Sequence, residues 1–167
     1  MTTYEELYDK RKAIDYLVQR LTSQLDEVRS SYNSSNRDSA DAPGAMQSQH
    51  DTSGKEAAWL SAGYAKQIKG LETKLSALQN LEIPEVPSDI IETGSVINVT
   101  DVKTFDDYVY VVLPGGAGNI FTYKNAEMHM ISPDSPISKA LYGGKQGETV
   151  EIKLPTETKK CLINMIT

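Results

Sequence analysis

The sequence predicts an α+β protein in which an antiparallel coiled-coil hairpin precedes a small β-rich domain with one short helix. Two contrasting patterns indicate this class. Apolar residues recur at steps of three and four in residues 3–32 and 53–78, whereas residues 90–167 alternate apolar and polar side chains in short runs. The segment I-P-E-V-P-S at residues 83–88 separates them, because its two prolines exclude helix. We therefore predict an arm at residues 1–82, a linker at 83–88 and a C-terminal domain at 89–167.

The composition limits the environment and the partners. The 167 residues carry a formal net charge of -6, which argues against general binding to nucleic-acid phosphates. A basic protein surface is the expected contact, and nucleic acid only an indirect one. Cys161 is the single cysteine, which excludes an internal disulfide and favours a reducing compartment. Residues 1–10 lack an apolar signal-peptide core, and no run approaches the roughly 20 apolar residues of a membrane span, so we expect a cytoplasmic protein without membrane contact.

The first helix of the arm is predicted over residues 3–32. Its apolar residues form one narrow stripe. Leu7, Ile14, Leu21 and Val28 recur every seven residues, and Leu17 and Leu25 lie on the same face between them. Such a stripe is wide enough for one partner helix, as in a coiled coil, and the helix would be about 45 Å long.

A tip loop is predicted at residues 33–52, where Ser, Asn, Asp, Pro43 and Gly44 interrupt the pattern. Thr52 or Ser53 then caps the second helix, and Glu56 completes a capping box with Ser53. The second stripe is predicted to comprise Trp59, Leu60, Tyr64, Ile68, Leu71, Leu75 and Leu78. Gly63 and Gly70 are predicted to mark a close approach to the first helix.

The C-terminal domain is predicted to contain six strands, at residues 95–100, 108–113, 120–124, 128–131, 149–154 and 161–166. Residues 115–118, G-G-A-G, lack the features of a phosphate-binding loop and are interpreted as a hairpin turn. His129 lies between two methionines in an alternating strand, so we expect it to face solvent. One cysteine and two distant histidines give no support for a zinc site.

Ser132 to Leu154 form a capped helix that continues directly into a strand. Ser135 is an N-cap candidate and Pro136 suits the first helical position. Ile137, Ala140 and Leu141 share one face of the helix, which a Gly-Gly pair ends.

This segment resembles the C-terminal signature of the Gre family, bacterial transcript-cleavage factors that act on RNA polymerase. The resemblance rests on nine residues: Ser132, Ser135, Pro136, Ile137, Ala140, Leu141, Tyr142, Gly147 and Glu148. Ser138 departs from the pattern, because the family usually carries Ala or Gly there. The resemblance implies an FKBP-like fold for this domain and a structural or polymerase-docking role for the nine residues.

The resemblance also implies a role for the arm. Gre factors insert their hairpin into the secondary channel of the polymerase and use two tip carboxylates to help hold a catalytic Mg²⁺. The candidate acids here are Asp38, Asp41, Asp51 and Glu56, which would share Mg²⁺ as the pair Asp38/Asp41 or Asp51/Glu56. The tip diverges from the family, since Asp51 matches the first acid whereas Gly54 stands in the place of the second.

Three functions stay open at this point. The first is a regulator, monomeric and without enzymatic activity or a cofactor of its own, that docks on RNA polymerase near the secondary channel and inserts its arm. The second adds stimulation of RNA cleavage by the polymerase through the tip acids and Mg²⁺. The third is a coiled-coil adaptor for an unrelated partner. The C-terminal signature favours the first two, and the altered tip favours the first of those.

Overall fold

The computed structural model describes residues 9–40, 53–84, 86, 88–123 and 125–167. Two long helices, α1 (Lys10–Ala40) and α2 (Ser53–Gln79), precede a sheet and one short helix, as predicted. The elements that follow are β1 (Val96–Asp101), β2 (Asp107–Val112), β3 (Asn119–Tyr123), β4 (Ala126–Ile131), α3 (Pro136–Leu141), β5 (Thr149–Lys153) and β6 (Thr158–Ile166). Each predicted strand is present, with its ends shifted by no more than three residues.

The described residues form two compact units. One contains residues 9–18 and 77–167, and the other contains residues 19–76. The bases of both long helices therefore group with the sheet. The linker at residues 83–88 stays a prediction.

Helix α1 continues to Ala40, so the prediction of a loop from residue 33 onwards was wrong for residues 33–40. Ser and Asn lower helix stability by only about 0.5 kcal/mol per residue, which neighbouring contacts can offset. Ser35 is buried, so it continues the stripe of buried residues that includes Leu21 and Leu25. Arg37 lies in the last turn of the helix, where a cation interacts favourably with the helix dipole.

The stripe of α2 differs from the predicted one at its N-terminal end. Trp59 is 79% exposed and Leu60 is 55% exposed, whereas Ala57 and Ser61 are buried. Alternating steps of three and four, extended backwards from Leu78, reach residues 61 and 57 and miss 59 and 60. Trp59 and Leu60 therefore lie outside the seam, the buried stripe of α2 that faces α1. The smaller side chains of Ala57 and Ser61 occupy the seam at this end.

The two helices run antiparallel and are joined within residues 19–76 by an ion pair. Arg29 Nη2 donates to Glu72 Oε1 at 2.8 Å, with both side chains about half exposed. Surface pairs of this kind contribute about 0–1 kcal/mol, so the buried seam supplies most of the stability. The seam prediction is confirmed at Leu21 and Leu75, which are buried.

Gly63 and Gly70 do not mark a close approach between the helices, contrary to the prediction. A Cβ added at either position would meet no atom within 4 Å. Both positions lie in the interior of α2 and are exposed. Each glycine therefore weakens the helix without a packing benefit.

Gly63→Ala is expected to raise the free energy of unfolding by about 1 kcal/mol, because alanine restricts the unfolded chain and fits the open space. Urea unfolding followed by helical circular dichroism measures the change. Ala62→Gly at the neighbouring exposed position is the matched control and should lower stability by about the same amount. A loss of stability in Gly63→Ala would show that the space beside residue 63 is not open.

The sheet has the strand order β3-β4-β2-β1-β6-β5. All neighbouring strands are antiparallel except β2 and β4, which pair in parallel from Tyr110/His129 to Val112/Ile131. The prediction of a hairpin at residues 115–118 was wrong, since β2 and β3 are not neighbours. The turn instead carries the chain to the sheet edge. Gly116 fits closely there, because an added Cβ would lie 3.0 Å from the Leu113 carbonyl oxygen and 3.1 Å from Met130 Cβ.

The core of the domain lies between α3 and one face of the sheet. Its fully buried members come from β1, β2, β6, the helix and the segment before β1, and they are Ile91, Ile97, Val99, Val112, Leu141 and Ile163. The helix bases contribute to the same unit, since Ala13 and Leu17 are fully buried and the Tyr16 ring lies 5.4 Å from that of Phe121. Neither described long helix has an apolar stretch sufficient to span a membrane.

Candidate functional site

Helix α3 begins with the predicted Ser-Pro cap. Ser135 has an extended backbone conformation, and its Oγ accepts a hydrogen bond from the Ser138 N–H at 3.1 Å. Pro136 occupies the first turn, where the absence of an N–H leaves no bond unmade. The local sequence therefore fixes where the helix starts and the direction in which it leaves β4.

Ser138 supports this cap, although in the sequence it stands out only as a departure from the family pattern. The side chain is fully buried, and its Oγ donates to the Ser132 carbonyl at 2.6 Å. The Ser135 Oγ–H in turn donates to Ser138 Oγ at 3.0 Å. Three serines thus close a small network in which each buried hydroxyl has a partner. Its sequence signal is a serine on the apolar face of a helix, three residues after an N-cap serine.

The C-terminal end of α3 is joined to the chain segment before β1. Gly143 has φ +76°, a backbone conformation that residues with a side chain rarely adopt. Its N–H donates to the Ile91 carbonyl at 2.9 Å. The Ile91 N–H donates to the Gly144 carbonyl at 3.0 Å. A Cβ at residue 144 would lie 2.9 Å from the Leu141 carbonyl oxygen and 2.8 Å from Ile163 Cδ1, so only glycine fits there without movement.

Gly147 and Glu148 shape the turn into β5. Gly147 has φ +86°, and its N–H donates to the Ile163 carbonyl at 2.8 Å. The Glu148 carboxylate accepts a hydrogen bond from the Lys145 N–H at 3.0 Å. These contacts give both signature residues a structural role in the fold.

The signature residues divide into an inward and an outward set. Leu141 is fully buried, and Ile137 and Ala140 pack against the core. Pro136 and Tyr142, the residue that follows the helix, are exposed, with Tyr142 56% exposed. Lys139 lies outside the signature and is exposed beside them. We call these three residues the outer face of α3. It presents a rigid ring, a cation and an aromatic side chain on a helix that is fixed by its caps.

The structure describes only part of the predicted tip site. Asp41 and Asp51 lie outside the described residues, and Asp38 lies in the last turn of α1 with its side chain outside the description. Glu56 lies in the first turn of α2 with an exposed side chain. The two predicted acid pairs therefore stay predictions. Within the described residues, no group of three His, Cys, Asp or Glu side chains is placed to hold a metal ion.

The prediction that His129 faces solvent is confirmed in part. The side chain is partly exposed, and its ring centroid lies 6.1 Å from that of Tyr110. Met128 and Met130 occupy the opposite face of β4 and are buried. The alternating pattern identified the strand and its buried face but not the contact between His129 and Tyr110.

Tyr108, Tyr110 and Lys159 form a cluster on the core face of the sheet. Lys159 Nζ lies 4.7 Å from the centre of the Tyr108 ring and donates to its hydroxyl at 3.2 Å, which raises the pKa of the ammonium group. Burial raises the pKa of the Tyr110 hydroxyl. Burial also raises the pKa of the Cys161 thiol, which keeps it protonated and unreactive.

Taken together, these elements define a two-helix arm that precedes an α+β domain with a Ser-Pro-capped helix. Residues 86–167 match the family model described as "Transcription elongation factor, GreA/GreB, C-term". This match confirms the resemblance of the C-terminal domain to the GreA/GreB transcription elongation factors, and it lies within that domain.

The similar proteins extend this match towards the arm. The chain is 32% identical over 111 residues to the transcription elongation factor GreA of Streptococcus pyogenes serotype M5, an alignment that covers 66% of this chain and 63% of the relative. It is 28% identical over 113 residues to GreA of Clostridium kluyveri, covering 68% and 65%. The alignments thus span less than two thirds of these relatives. The crystal structure of GreA factor homolog 1 (Gfh1) of Thermus thermophilus is 21% identical with a TM-score of 0.39, over 90% of this chain and 94% of that one.

Proposed function

We propose that the protein regulates transcription elongation by binding RNA polymerase. In this proposal the C-terminal domain docks near the secondary channel through the outer face of α3, and the arm enters the channel. The observation that carries the proposal is the division of the family signature. Its inward residues build the core, whereas Pro136 and Tyr142 stay exposed on a rigid helix. Exposed aromatic residues on rigid elements are frequent anchors of protein interfaces.

The arm has dimensions and a surface that support insertion into a channel. The 31 residues of α1 correspond to about 46 Å at 1.5 Å per residue. Near the N-terminus of α2, Trp59 and Leu60 lie exposed and line a shallow depression of about 580 Å³ together with Gly63 and Tyr64. A large apolar pair on an otherwise polar arm suits contact with a protein wall.

Binding to purified core RNA polymerase tests the proposal. Tyr142→Ala should weaken binding about tenfold, because it removes the largest exposed side chain of the outer face of α3. Ile120→Ala is the matched control: Ile120 is 47% exposed on β3, and its loss should leave the affinity unchanged. If the native protein does not bind the polymerase, the adaptor function replaces this proposal. Equal effects of both variants would exclude docking through α3.

Stimulated RNA cleavage is the alternative function, supported by the acids at the arm tip. Carboxylates are suitable ligands for Mg²⁺, which proteins usually hold with one or two of them plus water and substrate. Asp38 and Asp41, or Asp51 and Glu56, would supply these ligands. Gly54 stands in the place of the second family acid, so we expect the native protein to bind the polymerase without promoting cleavage.

A stalled, backtracked elongation complex with end-labelled RNA distinguishes the two functions. The expected result is binding with no shortened transcript. Stimulated cleavage that disappears in both Asp38→Ala/Asp41→Ala and Asp51→Ala/Glu56→Ala, with binding retained, would establish the cleavage function. Cleavage that disappears in one double variant alone would establish it and identify the pair that holds the metal.

A further inference from the structure

A groove of about 460 Å³ lies between the first halves of β2 and β4. The two strands pair only at residues 110–112 and 129–131, although β2 begins at Asp107 and β4 at Ala126. Residues 107–109, 126 and 127 therefore line the groove without a ladder between them. Strand edges of this kind offer N–H and C=O groups to an additional extended segment.

The groove is acidic. Asp106, Asp107 and Glu127 line it, and all three side chains are exposed. Asp107 Oδ1 accepts a hydrogen bond from the Thr100 hydroxyl at 2.5 Å. None of the ion pairs among the described residues involves these three carboxylates. The groove is therefore complementary to a cationic ligand and repels nucleic-acid phosphates.

Phe105 immediately precedes the groove and has two unfavourable properties. Its φ is +63°, a left-handed conformation that is rare for a bulky side chain, and it is 79% exposed. The surrounding turn holds it there, because the Phe105 N–H donates to the Asp101 carbonyl at 2.8 Å and Asp101 Oδ1 accepts from the Lys103 N–H at 2.8 Å. A strained, exposed aromatic side chain contributes little to the fold and is typical of a binding site.

We propose that this groove and Phe105 bind an extended, basic segment of a partner protein. The segment would add to the free edge of β2 or β4 and place its Lys or Arg side chains against Asp106, Asp107 and Glu127. An apolar side chain of the segment would cover Phe105. The charge of the groove identifies this occupant, since a second copy of the acidic chain would be repelled.

The groove is distinct from the surface proposed to dock on the polymerase. It lies at the Ala126 end of β4, whereas Ser132 and the cap of α3 follow the other end. The six residues of β4 separate the two ends by about 16 Å. One molecule can therefore use both surfaces, and a failure at one leaves the other unaffected.

Titration of the ¹⁵N-labelled full chain tests the proposal. The probe is an acetylated heptapeptide of alternating Arg and Val, and its Glu/Val counterpart is the control. The Arg peptide should cause saturable shifts at the amides of residues 107–109 and 126–128, and the Glu peptide should cause none. Unsaturable or scattered shifts with the Arg peptide would overturn the proposal.

Two variants separate specific binding from general attraction to an acidic protein. Glu127→Gln should weaken binding of the Arg peptide about two- to fivefold, whereas Glu151→Gln, at an exposed acid on β5, should not change it. Equal effects would indicate attraction to the overall charge and overturn the site.

Phe105→Gly has opposite expected effects on binding and stability. Glycine adopts a positive φ without strain, so the melting temperature should hold or rise while peptide binding weakens about tenfold. Unchanged binding, or a lower melting temperature, would show that Phe105 serves the fold and does not anchor the segment.

Discussion

Leu141→Ala is expected to lower the free energy of unfolding by about 2–5 kcal/mol. Leu141 is fully buried between α3 and the sheet, where it packs with Ile91, Ile97 and Ile163. Alanine would remove the buried methyl groups and leave a cavity that the capped helix prevents from collapsing, because Ser135 and the Gly143–Ile91 hydrogen bond hold both of its ends. The loss should therefore fall in the upper part of this range.

Urea unfolding of the full chain, followed by the amide signals of β1 and β6, measures the change. These signals report on the sheet, whereas the fluorescence of Trp59 reports on α2. Tyr142→Ala is the matched control, since Tyr142 is the next residue in the chain and is 56% exposed. It should change the stability by less than about 0.5 kcal/mol. Similar losses in the two variants would contradict the inward placement of Leu141.

Gly144→Ala is expected to lower the free energy of unfolding by about 1–3 kcal/mol. The new Cβ would lie 2.9 Å from the Leu141 carbonyl oxygen and 2.8 Å from Ile163 Cδ1. The isoleucine methyl group can move, but the carbonyl belongs to the backbone of α3. Part of the overlap must therefore be relieved by a shift of the helix end.

A double variant separates the two contacts of residue 144. Ile163→Val removes Cδ1, so Gly144→Ala should lose less stability in the Ile163→Val background than in the native one. Gly143→Asn is the matched control, because nothing lies within 4 Å of a Cβ at residue 143 and Asn tolerates its positive φ. No loss in Gly144→Ala in either background would contradict the close approach.

The packing of Leu141 and Gly144 also bears on the proposed function. Leu141 and Gly144 fix α3 against β5 and β6, and the orientation of Tyr142 depends on the helix they hold. Polymerase binding should therefore weaken in Gly144→Ala even under conditions where the chain stays folded. Binding that equals that of the native protein would show that docking does not depend on the position of α3.

Local patterns in the sequence were sufficient to predict the strands and the start of the short helix. A strand alternates with a period of two and a capped helix begins at a Ser-Pro pair, and both signals are contained within a few residues. For this reason the six strands and the start of α3 were predicted. The heptad spacing likewise identified Leu21, Leu75 and Leu78 as buried residues of the two long helices. The Ser132–Glu148 pattern by itself indicates the resemblance to the Gre family.

The tertiary structure decided which side chains meet and which stay exposed. Trp59 lies off the seam because the heptad phase, which is set by pairing with α1, places Ala57 and Ser61 there. Residues 33–40 are helical despite weak local propensity, and Ser35 continues the buried stripe of α1 there. The parallel pairing of β2 with β4 joins strands that are not consecutive, which no local pattern encodes, and it creates the groove beside Phe105. The burial of Ser138 depends in the same way on α3 lying against the sheet, because only that contact excludes water from its hydroxyl.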